Sequence, residues 1–183
     1  MKIKVTDLKK RLKDYEQKEL IELVVDLFKT NKEVQNYLSS KFLGDEMIEE
    51  LFRKTRKKIE NEFFPEKGFG KLRLGEAKKE ITAFKKATND KKRTVDLMLF
   101  YVEQGVEFTN SFGDINESFY SSLGKMFDQV AMECDQDEEL YKEFSTRLRN
   151  VMSNTDEIGW GFQEALEDSF YTIEWVHAED EDE

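Results

Sequence analysis

LMLFYVEQGV, residues 97–106, is the stretch on which the fold turns. Its first six residues form an unbroken apolar run that would suit a strand buried on both faces. The apolar spacing does not stop there. Val95, Met98, Leu99, Val102 and Val106 recur at intervals of three and four, which is the period of a helix and not of a pleated strand. The run therefore reads as the middle of a buried helix extending to about Thr109.

The same period appears on both sides. Upstream, Ala77, Ile81 and Phe84 share one face, and Ile48, Leu51, Phe52, Thr55, Ile59 and Phe63 form a stripe from Asp45 to about Phe64. Nearer the start, Leu20, Ile21, Val24, Leu27 and Phe28 are spaced for one buried face. Downstream, helices are expected at about 115–133, 136–153 and 158–177, the last with Phe162, Leu166, Phe170, Ile173 and Val176 inward. Pro65, Gly68 and Gly70 make the clearest interruption. The expectation is all-α: about seven to nine helices, packed as consecutive αα-hairpins in one compact or weakly two-lobed unit. It spans residues 1–177 as a single helical domain, and 65–74 is where a subdomain break would fall. Residues 178–183, AEDEDE, are expected to be a disordered acidic tail.

Composition supports this frame. In 183 residues there are one proline and nine glycines, while charged residues reach 38% and aromatics 13%. Such a chain has the apolar content for a core and few helix breakers. No run of about 20 apolar residues suggests a membrane span. The start, MKIKVTDLKKRLKDY, lacks the apolar core of a secretory signal. One cysteine, Cys134, excludes an internal disulfide framework and agrees with a reducing cytoplasm, the expected location. The net charge of -11 is unevenly spread: residues 1–93 balance at +8, with 25 Lys and Arg against 17 Asp and Glu, and residues 94–183 at -19. Attraction between the two halves within the fold is the preferred account, ahead of an anionic partner.

Four stretches carry a resemblance: EFFPEKG (62–68), KLRLGEAKKEI (71–81), LMLFYVEQGVEFTNSFGDINESFYSSL (97–123) and DEIGWGF (156–162). They resemble an uncharacterised, largely bacterial domain family of unknown function, with members of about this length. The resemblance spans nearly the whole chain and is most specific at 97–123. It implies one helical unit of cytoplasmic character, and supplies no activity, cofactor or catalytic residue.

The residues exclude most catalytic templates. The sole histidine, His177, adjoins the acidic tail, so neither a histidine-based triad nor a Cys/His zinc site has a plausible centre. Gly68-Phe69-Gly70 lacks the strand–turn–helix setting and third glycine of a dinucleotide loop. No metal or cofactor is expected. Cys134, between Glu133 and Asp135, is a poor candidate nucleophile.

Two charged groups and one aromatic remain as candidate surfaces. Asp96, Glu103 and Glu107 fall on one helical stripe, and Asp114 lies just beyond, where with Glu117 it can also cap the next helix. This patch reads either as an acidic site for a cation or basic ligand, or as a salt-bridged helix side. Lys78, Lys79, Lys85 and Lys86 form a ridge within the basic 67–93 segment. A ridge of that kind could grip phosphates, but an antiparallel hairpin would bring Lys86 to Asp96 and Lys79 to Glu103, and internal pairing is preferred. Around residues 49–62, Glu49–Arg53, Glu50–Lys54, Arg56–Glu60 and Lys58–Glu62 have the spacing of surface i,i+4 pairs. Trp160, between two glycines, is an interhelix packing residue or an exposed anchor for a partner.

The leading expectation is a non-enzymatic cytoplasmic helical module that binds another protein. A nucleic-acid-associated or regulatory protein using the 67–93 segment is the alternative, followed by an acidic-site metal binder or enzyme. The oligomeric state is left open.

Overall fold

Four of the helices begin where a short polar side chain takes up free backbone N–H groups. The Asn31 carboxamide oxygen accepts from the amides of Glu33 and Val34, Asp90 from Arg93, Asn116 from Phe119 and Asp137 from Leu140. In the computed structural model, residues 3–156 and 158–181 are described, with side chains as far as residue 177. Helix α1 spans Val5–Leu12, α2 Gln17–Thr30, α3 Lys32–Leu43 and α4 Asp45–Phe63. After a connection over 64–73 come α5, Leu74–Thr88, α6, Lys91–Phe112, α7, Glu117–Asp135, and α8, Glu138–Ser153. Two short helices close the series: α9, Phe162–Phe170, and α10, Glu174–Glu181. The fold is all-α, with no strand among the described residues.

The apolar run at 97–102 lies in the middle of α6, and every one of its residues is buried. Burial on all sides explains why the run lacks a polar face: α4, α5, α7 and α8 each pack against α6. Helix α7 comes close at Gly105. A methyl group added there would come within 2.5 Å of Leu123 Cδ1, so the two helices touch where α6 has no side chain. Phe63, from the end of α4, reaches into the same core and meets Tyr101, Phe108 and Phe119 edge-on.

One continuous core draws on α4 through α10, on both sides of the 65–74 connection. That connection is itself anchored. Glu62 receives a bidentate pair from Arg73, at 3.0 and 2.7 Å, and the Leu72 amide donates to the Glu62 carbonyl. Gly70 lies so close under the Glu62 and Phe63 carbonyls that no side chain fits there.

The segment expected as one helix over 158–177 is two. A turn at Tyr171–Thr172, closed by the Thr172 hydroxyl on the Ser169 carbonyl, separates them. The turn lets Phe170, Ile173 and Val176 all reach the core. The helical backbone of α10 continues to Glu181, into the stretch expected as a disordered tail; the side chains from residue 178 and residues 182–183 lie outside the described residues.

The largest departure is at the start. Leu20, Ile21, Val24, Leu27 and Phe28 do not form a buried face. Neither α1 nor α2 contains a buried residue, and Leu20 is the only residue of α2 that is even half-buried. The apolar residues of α2 spread over about 200° of its circumference, at 100° per residue. Its main neighbour is α3, and one helix cannot cover so wide an arc.

Candidate functional site

The acidic stripe on α6 is met by arginines from two other helices. Arg147 of α8 donates from Nε and Nη2 to both Glu103 carboxylate oxygens, at 2.7 and 2.8 Å, and from Nη1 to Asp96 at 2.8 Å. Arg56 of α4 stands 3.6 Å from Asp96 and lies over the Phe100 ring. Burial disfavours charge on Arg147, but the Glu103 and Asp96 carboxylates outweigh it and hold the guanidinium more firmly protonated than usual. Asp96 and Glu103 thus form a salt-bridged part of the stripe, built around a planar donor that the two carboxylates share.

The lysines expected to meet that stripe face elsewhere. Neither Lys86–Asp96 nor Lys79–Glu103 forms, because the Asp96–Glu103 edge of α6 is taken by α4 and α8. Lys78 donates to the Ser122 hydroxyl of α7 at 2.9 Å, and Lys85 lies 3.8 Å from Glu133 of the same helix. Lys79 pairs with Glu76 within α5 at 2.7 Å. Lys86 is exposed, beside Glu33, Val34 and Tyr37 of α3. On α4, Glu49–Arg53 and Glu50–Lys54 form as spaced. Arg56 goes to Asp96 instead of Glu60, Lys58 to Glu80, and Glu62 to Arg73.

Glu107 is exposed and accepts from Gln104 at 3.2 Å. With Glu103, Asn110, Arg147, Asn150 and Asn154 it lines a cleft of about 400 Å³ between α6 and α8. Asn110 donates across the mouth of this cleft to the Asn154 carbonyl at 2.9 Å. Among the described residues there is no group of three or more His, Cys, Asp or Glu placed to hold a metal ion. Cys134 is fully buried, and its thiol is pushed up to about 12, chiefly by burial, with Asp137 and Glu133 adding to the shift and Lys91 opposing it. Such a thiol stays protonated and unreactive at neutral pH.

Asp114 does not cap α7; Asn116 does. Asp114 accepts instead from the Tyr120 hydroxyl at 2.9 Å. Its other oxygen would lie 3.2 Å from a methyl group on Gly159, so Asp114 adjoins the loop that carries Trp160. Trp160 is 59% exposed, with a positive φ of 66° that a bulky side chain rarely adopts. It stands at the lip of a groove between α7 and α9 lined by Tyr120, Gly124, Phe162 and Ala165. Two candidates distant in sequence, Asp114 and Trp160, therefore share one corner of the molecule.

Periodicity could not reveal the two features that matter most. Arg147 is one of only four basic residues after position 93, and that scarcity was the available signal for its role. The open face of α2 had a signal too, in an apolar arc too wide for one neighbour. Ile21 at 56% is its most exposed large apolar residue, and Val24, Val25, Leu27 and Phe28 are exposed with it.

No helix among the described residues is long and apolar enough to cross a membrane. No curated protein and no solved structure matches the chain. A family model does match, over residues 3–173, and the chain with its α6 core and bare N-terminal helices belongs to that family of unknown function, DUF6155.

Proposed function

We propose that this protein is a non-enzymatic helical module of the cytoplasm, and that it binds another protein chain through the apolar face of α1 and α2. One observation carries the reading. The Ile21–Phe28 face is contiguous, apolar and exposed, and contiguous apolar surface on a soluble chain marks an interaction site. The rival surfaces have less to offer. Lys78, Lys79 and Lys85 are engaged within the fold, which weakens the case for nucleic acid on the 67–93 segment. Asp96 and Glu103 are engaged by Arg147, which weakens the case for a cation or catalytic site.

The test is a photo-crosslinking residue placed at position 21 of the full-length chain in its native cell. A protein adduct, absent when the same residue is placed at buried position 148, is the expected result. Nucleic-acid adducts, or no adduct, would overturn the reading.

A further inference from the structure

We infer that the groove between α5 and α7 binds a small amphipathic anion. Its oxyanion head, a carboxylate or a phosphate, is held by Lys78, Ser122 and Lys125, and its apolar body lies over Met98 and Met126. No residue of α1 or α2 lines this groove, and the inference does not depend on the protein-binding reading above.

The packing of the helices leaves the groove open. Helices α5 and α7 each pack against α6 and have no more than marginal contact with each other, so α6 forms the floor between them. The groove has a volume of about 480 Å³, within the range of small-molecule sites. Ile81, Met98, Met126 and Met132 are its apolar lining. Methionine side chains are flexible and polarizable, and adapt to apolar bodies of varied shape.

The hydroxyl of Ser122 is short of an acceptor. A serine hydroxyl carries one hydrogen and two lone pairs. Lys78 donates to Ser122 Oγ across the groove at 2.9 Å, and Tyr101 Oη lies 2.9 Å from the same oxygen. Tyr101 is fully buried, and Ser122 is its sole hydrogen-bond partner among the described residues. Burial keeps the phenol protonated, its pKa pushed up to about 12. A buried phenol hydrogen left unpaired is costly, so Tyr101 donates to Ser122. Both lone pairs of Oγ are then occupied, and its own hydrogen has no acceptor in the protein. Ser153 and Ser169 each donate to the carbonyl four residues back; Ser122 makes no such bond.

The neighbouring charges call for the same kind of partner. Lys78 meets a neutral hydroxyl and no carboxylate, and Lys125, one turn beyond Ser122 on α7, makes no ion pair among the described residues. About three turns further along α7, Glu133 is already matched by Lys85 and Lys91, at 3.8 and 3.4 Å. The Ser122 end of the groove thus offers donors alone: the serine hydrogen, the remaining N–H groups of Lys78 and the ammonium of Lys125. An oxyanion, with several acceptor oxygens and a negative charge, satisfies all three.

The test is methyl NMR on the full-length protein with isotope-labelled methionine methyls, titrated with octanoate, octyl phosphate and octanol. Met98, Met126 and Met132 line the groove, whereas α1 and α2 contain no methionine, so binding on the α2 face leaves these signals in place. Saturable shifts of the Met98 and Met126 signals with an anion are the expected result. Tighter binding of octanoate identifies a carboxylate ligand, and tighter binding of octyl phosphate a phosphate monoester. K78Q and K125Q should each weaken the anion about tenfold, the loss of one charge-assisted hydrogen bond, and K125R should retain it. Lys125 is exposed, so K125Q probes the head site without disturbing the core. No saturable shift with either anion would overturn the inference. So would octanol binding as tightly as the anions, or an affinity unchanged in either glutamine variant.

Discussion

Helices α2 and α6 are both rich in apolar residues, and the molecule treats them oppositely. Four helices surround α6, and its apolar run at 97–102 is buried throughout. Helix α2 has α3 as its main neighbour, and its apolar arc stands open. The contrast separates two things that hydrophobic periodicity merges. Periodicity reports that a helix has a face to bury. It does not report whether the covering surface belongs to the same chain.

The sharpest way to break this comparison is to truncate one residue in each region. Phe63→Ala removes a ring that meets three other aromatics in the core, and should cost about 3–5 kcal/mol. Ile21→Ala should cost the dilute, monomeric chain less than about 0.5 kcal/mol, as exposed positions do. Urea denaturation of the two variants at high dilution gives both numbers. Comparable losses would mean that α2 is part of the core after all.

A smaller effect comes from groups that the body keeps neutral. Cys134 and Tyr101 are both pushed up to about 12, mainly by burial. Each binds its proton more tightly in the folded chain than in the unfolded one. Their contribution is fully present below the unfolded values, about 8.5 for a thiol and 10 for a phenol, and is lost as pH rises towards 12. Stability should therefore fall above pH 9, by up to about 1.4 kcal/mol per pH unit for each group. Cys134→Ala should flatten the first part of that limb in melts between pH 8 and 11. An unchanged slope would mean that the thiol is not held in its protonated form.

The smallest effect belongs to the edge where α6 meets α4 and α8. Arg147→Ala removes the guanidinium that Asp96 and Glu103 share and leaves Arg56 beside Asp96. A half-buried cluster of this kind should lose about 1–2 kcal/mol, below the 3–5 kcal/mol of a fully buried pair. Thermal denaturation with Arg147→Lys alongside separates charge from geometry. Lysine retains the charge but cannot serve two carboxylates in a fork, so it should recover only part of the loss.

Much of the fold was legible in the sequence because helical spacing and punctuation agree. The apolar residues around 97–106 recur at a period no strand has, and Gly44, Pro65 and Asn89 stand at or just past the ends of helices. The candidate site was legible only in part. Asp96 and Glu103 do share a stripe, as the seven-residue interval requires. Their partner came from α8, some fifty residues away, because tertiary packing and not chain order decides which helix lies beside that edge. Asp114 and Trp160 meet for the same reason, and nothing in their local sequences pairs them. The split between α9 and α10 was hidden because Phe170, Ile173 and Val176 keep a helical spacing across the turn that interrupts the helix.

The all-round covering of α6 also has a consequence during synthesis. A ribosome makes α4 and α5 first, so one side of α6 finds its cover as soon as it emerges. The other side waits for α7 and α8, whose last residue is Ser153. At about 5–20 residues per second, the 41 residues from 113 to 153 take roughly 2–8 s. Through that interval the nascent chain carries the helix with the most buried residues half-clothed, with Leu123 and its neighbours not yet in place against Gly105.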